Sequence, residues 1–298
     1  MIGSCIFYKF SLIYRVERLI ERCENDMVNL FKQALGEGWD ITPAGGLTGN
    51  AYVAQRNNER LFLKRNSSPF LAVLSAEGLV PKLIWTKRME NGDVITAQDW
   101  LEGNKLRPWE MQDERVAHLL RKIHQSSELL HMLMRLGISP ITPDESFKKL
   151  LNEVYESKLH LKYLDVQRAL NYLEQLLPKT RGHKQVVCHC DLNHNNLMMT
   201  HDGLLYLIDW DNATIADPIT DFGMVLNKYI PQQHWEKWLA SYGVIKDKSL
   251  IERMYWYLIL DALSYMTWHT HRHEEHKVNE RLLELRSLNE EVRSTILN

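Results

Sequence analysis

The sequence predicts an α+β chain in two lobes, a small β-rich N-lobe over residues 27–101 and a larger helical C-lobe over residues 102–298. Between positions 39 and 101, short alternating runs are separated by turns containing Gly and Asn, which is the signature of strands. Beyond Asn104 the apolar residues recur at helical spacing. One stretch of the helical half breaks that spacing: in residues 186–211 two short apolar runs flank a polar loop carrying Asp191 and Asn196, and the second run ends in Asp209 and Asp211.

Taken in order, residues 1–26 start apolar but are interrupted by Lys9, Arg15, Glu17 and Arg18, and they lack the basic leader and small-residue cleavage site of a signal peptide. Glu21-Arg22-Cys23 can be encoded by a purine-rich ribosome-binding sequence, with Met27 at nearly suitable spacing downstream. On that reading the natural chain starts at Met27 and residues 1–26 are an extension; the alternative is an amphipathic helix over 12–35, packed on the small lobe. Gly45, Gly46 and Gly49 then lie in a turn between extended segments. Glycines there let backbone amides approach nucleotide phosphates, although a plain hairpin turn is the commoner use of such a stretch. Residues 60–64 read as a strand ending in Lys64, whose ammonium suits the α- and β-phosphates of a nucleotide if a carboxylate holds it. Glu77 is the carboxylate expected for this, in a helical stretch 70–79 that must end near Pro81; Glu59, in a turn, is its competitor. Most strand-end lysines are surface charges, so the role of Lys64 depends on the later loop.

Residues 82–85 and 94–101 form a hairpin about Asn91-Gly92, and Glu102-Gly103 ends it. Residues 111–124 place Val116, Leu119, Leu120 and Ile123 on a helix that closes on a structural histidine, His124. Two scaffold helices fill 145–178. After the central stretch, Asp217 and Asp221 begin another helix, either to cap its amides or to hold the polar loop, and Asp221 is read as support. Tyr257, Asp261, Ser264 and Trp268 share one helical face. That face, with Trp210, lines an acceptor pocket, or it packs in the core as aromatic stripes more often do. His269, His271, His273 and His276 have no acid in a metal-binding motif and read as a solvated helix end.

Composition narrows the function. A chain of 298 residues with 45% hydrophobic content buries a large core. A net charge of −2 without a long basic block gives no footprint for nucleic acid. Four cysteines, at positions 5, 23, 188 and 190, suit a reducing compartment such as the cytoplasm. Cys188 and Cys190 alternate with His189 on a strand, so the two share a face, and without further ligands at zinc spacing they read as small core residues. No apolar run reaches the length of a membrane span.

The loop of 186–211 has the layout of a phosphoryl-transfer site. Asp191 can orient and deprotonate an attacking hydroxyl, while Asn196 and Asp209 offer the hard oxygens that magnesium prefers. The pattern His-x-Asp-x-x-x-x-Asn followed by hydrophobic-Asp-Trp-Asp resembles the aminoglycoside phosphotransferase and choline kinase branch of the protein-kinase-like fold. The resemblance implies a bilobal kinase-like fold in which Asp191 is the catalytic base, Asn196 and Asp209 hold Mg2+, and His189, Asp211 and Asp221 support the loop. It also implies that ATP is held by Gly45, Gly46, Gly49, Lys64 and Glu77, with the backbone of Gln98, Trp100 and Leu101 on the adenine edge. The Asp-Phe-Gly starting at Asp221 looks like a kinase metal motif but does not follow a strand at the right distance from Asn196.

Residues 62–69, 81–85, 98–103, 206–211 and 233–239, the last with Tyr255-Trp256-Tyr257, are further similar to the CcrZ group of cell-cycle regulators of Gram-positive bacteria. That similarity implies a cytoplasmic, ATP- and magnesium-dependent kinase acting on the 5′-hydroxyl of ribose, deoxyribose or a nucleoside, with cell-division or replication proteins as partners. Leu192-Asn193 stands where the group has a more basic stretch, which bears on acceptor preference. Two rivals fit the same elements. A choline- or aminoglycoside-type kinase would require several acids on the C-lobe face where Asp261 stands nearly alone, and a pseudokinase scaffold acting through protein partners would not require the full set of base and metal residues.

Overall fold

A computed structural model describes residues 26–44 and 50–296. The predicted extension over 1–26, save its last residue, and Gly45, Gly46 and Gly49 lie outside the described residues. The chain divides into two units, one ending at Glu102 and the other starting at Gly103.

The first unit pairs a helix over 26–35, α1, with an antiparallel sheet of β1 (Asp40–Pro43), β2 (Ala51–Arg56), β3 (Glu59–Arg65), β4 (Leu83–Arg88) and β5 (Val94–Asp99), in the order β1-β2-β3-β5-β4. Alternation decides which face is buried. Leu61 and Leu63 of β3 point into a core with Phe31, Trp39, Ile41, Tyr52 and Ile95, and Lys64 falls on the opposite face. Phe31 of α1 meets Tyr52 with ring centroids 4.8 Å apart, and Lys87 donates to the carbonyls of Gln33 and Ala34 at the end of that helix. Helix α2 (Phe70–Ala76) stops earlier than the predicted 79. The hairpin between β4 and β5 turns at Gly92, whose φ of +90° suits glycine. Glu59 is not a turn residue: it opens β3 and pairs with Arg56 across 3.5 Å.

The second unit begins with β6 (Gly103–Lys105), which lies so close to β8 (Leu197–Thr200) that a Cβ on Gly103 would stand 2.4 Å from the Met199 carbonyl. The helix predicted from 111 starts later. A 3₁₀ turn at Pro108–Gln112 precedes α3 (Glu114–Gln125), because Asp113 caps the helix by accepting from the Arg115 amide at 2.9 Å. After α4 (Ser127–Arg135), the two helices predicted over 145–178 are three: α5 (Pro143–Glu156), the single turn α6 (Leu159–Lys162) and α7 (Leu164–Leu176), broken where Lys158 takes a φ of 58°. β7 (Val186–Cys188) pairs with β10 (Thr214–Ala216), and β8 joins β6 to β9 (Leu205–Leu207).

Helices α8 (Ile219–Tyr229), α9 (Trp235–Tyr242), α10 (Lys248–His271) and α11 (Glu275–Thr295) complete the unit. α10 packs against α11, α8, α7 and α5, so most of its residues are buried or half-buried and no single apolar stripe marks it. Tyr255 and Trp256 are core residues, with Trp256 Nε1 donating to the Leu173 carbonyl at 2.9 Å. The histidine-rich end of α10 is not wholly solvated: His269 is fully buried and its Nδ1 pairs with Glu274. Among the described residues no helix is long and apolar enough to cross a membrane.

Candidate active site

The buried strand β7 delivers the chain to the polar loop, and α8 holds it there. Asp221, in the first turn of α8 and wholly buried, accepts from the amides of His189 at 2.8 Å and Cys190 at 2.9 Å. Its Oδ2 also meets His124 Nε2 at 3.1 Å, while His124 Nδ1 meets the Tyr242 hydroxyl at 2.7 Å. Burial works against the Asp221 charge, but His124 and the two amides outweigh it and hold the carboxyl below its usual value. His124, Cys188 and Asp221 offer three ligand atoms within 4.8 Å. Both His124 nitrogens and both Asp221 oxygens already have hydrogen-bond partners, so the trio is a clasp, not a metal centre.

Cys188 is buried as predicted for a core residue, but Cys190 is exposed. The strand ends at Cys188, and Cys190 takes a left-handed φ of 60° beyond it, so the β alternation does not extend to Cys190.

From this turn the loop is braced internally. His189 Nδ1 accepts from the Asp191 amide at 3.3 Å, so the ring proton sits on Nε2, which donates to the Ile208 carbonyl at 2.9 Å. The Ile208 amide in turn donates to the Asn196 carbonyl at 2.8 Å. Trp210 closes over the same histidine, edge to face at 5.0 Å, with its Nε1 on the Leu207 carbonyl at 2.7 Å. Asp191 is exposed, and both of its carboxylate oxygens accept side-chain amides: Oδ2 from Asn196 at 3.0 Å and Oδ1 from Asn193 at 3.1 Å. Asp209 directly follows Ile208, is exposed and holds a left-handed φ of 64°, a conformation that Asp tolerates better than most side chains. Asp211 lies exposed in the short turn after it. The structure thus ties Asp191, Asn196 and the segment leading into Asp209 into one hydrogen-bonded unit. Asn196 and Asp209 are oxygen donors of the kind magnesium takes.

The residues predicted for nucleotide sit in the first unit. Lys64 lies near the end of β3, opposite Ala51 on β2 and Thr96 on β5, and Glu77 closes α2. Gln98 is inside the sheet between β3 and β4, with its side chain donating to the Pro81 carbonyl at 2.8 Å. Of the predicted hinge, therefore, Trp100 and Leu101 alone lie beyond the strand, and Arg60 covers the Trp100 ring at 4.7 Å. The roughly 600 Å³ recess of this unit, bordered by Ser67, Ser68, Thr86 and Arg88, includes neither Lys64 nor Glu77.

Of the residues predicted to line an acceptor pocket, Tyr257 is half-buried, edge-on to Trp256 at 4.8 Å, and Trp268 is exposed beneath Arg272 at 4.7 Å. Asp261 is reached by solvent yet crowded by protein. That crowding raises its pKa, and the charges of Glu284 and Asp191 add to the rise against the pull of Arg281 and Lys228. A cavity of about 410 Å³ in the second unit is lined by none of Trp210, Tyr257, Asp261 and Trp268, but by residues of α8, α10 and α11 that include Tyr265 and Arg281. The sequence reading missed these two, together with Tyr229, whose hydroxyl meets His194 Nδ1 at 3.1 Å. Only Asn193 carried a local signal, as an amide two residues after the loop Asp.

A family model described as a phosphotransferase enzyme family matches residues 40–257. The choline kinase LicA from Streptococcus pneumoniae is similar in structure, with a TM-score of 0.66 and 20% identity over 89% of this chain and 98% of its own. A choline/ethanolamine kinase family protein from Mesorhizobium loti gives 0.63 and 17% over 88% and 94%. The GDP complex of a mutant aminoglycoside 2'-phosphotransferase-IIIa gives 0.69 and 15% over 88% and 96%. These likenesses are of fold, and they extend across the antiparallel sheet and the helical part alike. With the family match running from β1 to α10, the chain belongs to the phosphotransferase enzyme family.

Proposed function

We propose that the protein is an ATP- and magnesium-dependent small-molecule kinase whose acceptor is a hydroxyl of ribose, deoxyribose or a nucleoside. The observation that carries this is the doubly braced carboxylate of Asp191, joined through Asn196 and Ile208 to the segment that presents Asp209. Asn193 and Asn196 fix the plane of the Asp191 carboxylate, so that it meets an incoming alcohol in one orientation. The acceptor oxygen attacks the γ-phosphorus in line, the bond from that phosphorus to the β–γ bridging oxygen breaks, and the alcohol proton passes to Asp191. Asn196 Nδ2 faces Asp191, which leaves the amide oxygen as the atom for metal, alongside the Asp209 carboxylate. Magnesium bound there would neutralise charge on the phosphates. In this reading Lys64 supplies an ammonium to the α- and β-phosphates. The stretches similar to the CcrZ group support the sugar acceptor and extend the proposal to a role in coordinating division and replication.

The test is transfer of labelled γ-phosphate at saturating ATP to ribose, deoxyribose, nucleosides, choline and an aminoglycoside. We expect transfer to a sugar, and a loss of about 10³-fold in Asp191→Ala while ATP still binds. Near-normal turnover in that variant would remove Asp191 from the role of base.

A further inference from the structure

The cavity of about 410 Å³ in the second unit lies within the usual size of small-molecule sites. Its α8 wall belongs to the helix that grips the loop at both ends, through Asp221 on the amides of His189 and Cys190 and through Tyr229 on His194. Lys228, which lines the cavity, precedes Tyr229 and has its ammonium 5.5 Å from that ring. Asp261 stands one helical turn before Tyr265 on the same helix, and the charges of Arg281, Glu284, Asp191 and Lys228 all act on it.

The charges lining this cavity are three cations, Lys228, Lys277 and Arg281, against two carboxylates, Glu280 and Glu284. Arg281 is the residue around which they are arranged. Its guanidinium lies 4.1 Å from the centre of the Tyr265 ring and is paired with Glu284. A quaternary ammonium is held by an open aromatic face and an uncompensated carboxylate. Here the aromatic face carries the chain's own guanidinium, the same guanidinium neutralises Glu284, Glu280 shares the lining with Lys228 and Lys277, and the next aromatic along α10, Trp268, is covered by Arg272. Guanidinium, ammonium and carboxylate groups at close spacing instead offer the mixed donors and acceptors that a compact polyol needs.

We propose that Arg281 sets the acceptor class of this cavity, admitting an uncharged polyhydroxyl molecule and excluding a quaternary ammonium by occupying the Tyr265 face and pairing with Glu284. The proposal rests on the kinase reading for the identity of the acceptor, but not for its selectivity, which binding alone reports. Calorimetric titration of the full chain with ribose and with choline is therefore run beside γ-phosphate transfer, for the wild type, Arg281→Ala and Arg281→Gln. The glutamine variant keeps a polar chain of similar reach should alanine fail to fold.

We expect the wild type to bind ribose and not choline. In both variants ribose binding should weaken about tenfold and choline binding should appear, with ATP affinity unchanged. Choline binding equal in wild type and variants, or ribose binding untouched in both, overturns the proposal. Absence of transfer to any acceptor, with the binding exchange intact, removes the kinase reading and leaves the selectivity of Arg281 standing.

Discussion

Asp221 shows how much of the loop depends on one side chain. It accepts from two backbone amides and from His124, so both oxygens are engaged and no water is required to complete them. Asp221→Asn replaces one acceptor by an NH2 group facing donors, and we expect a loss of about 3 kcal/mol in urea unfolding. In the folded protein this carboxyl titrates below its unfolded value, so the folded chain binds fewer protons than the unfolded one through that range. Its contribution is therefore complete above the carboxylate range and is lost as pH falls through the folded pKa. Unfolding free energy of the wild type should decline below about pH 5, and Asp221→Asn should lack that part of the decline. The sequence offered Asp221 as support, but not its partners, because His124 and Tyr242 lie 97 and 118 residues from the groups they meet.

At the scale of elements, α8 and α10 are locked by one buried ion pair. Asp217, ahead of α8 and fully buried, accepts from the Ile219 amide at 3.0 Å and meets Arg253 of α10 at 2.8 Å. Arg253→Met leaves that carboxylate without a countercharge, and we expect a cost of about 3 kcal/mol at neutral pH. Burial already raises the Asp217 pKa against the pull of Arg253, and removing Arg253 raises it further. The variant should therefore recover stability as pH falls toward 4, opposite in sign to the Asp221 effect, as denaturant titrations at two pH values would measure. Strand alternation and the turn at Asn91-Gly92 were legible because period and turn chemistry are local. The face of α10 was not, since a helix packed on most sides has no apolar stripe to read.

For the whole molecule, a ligand that binds only the folded chain adds stability by mass action, about 2.7 kcal/mol at a hundredfold excess over Kd. ATP with magnesium should raise the melting temperature of the wild type, and ATP with a chelator should raise it less. In Asp209→Asn the magnesium-dependent increment should shrink toward zero in differential scanning fluorimetry; an undiminished increment would take the metal role away from Asp209. This readout does not require the acceptor to be known.

By itself the sequence determined that a strand-rich first part precedes a mainly helical one, and it marked the loop that carries Asp191, Asn196 and Asp209, because each depends on residue types a few positions apart. Only the tertiary structure decided that Asp221 clasps the loop with His124, that Cys190 leaves the strand conformation, and that Arg281 lies on Tyr265. The clasp and the Arg281–Tyr265 contact join different helices, and their partners are chosen by packing, which leaves no periodic mark on the residues it brings together.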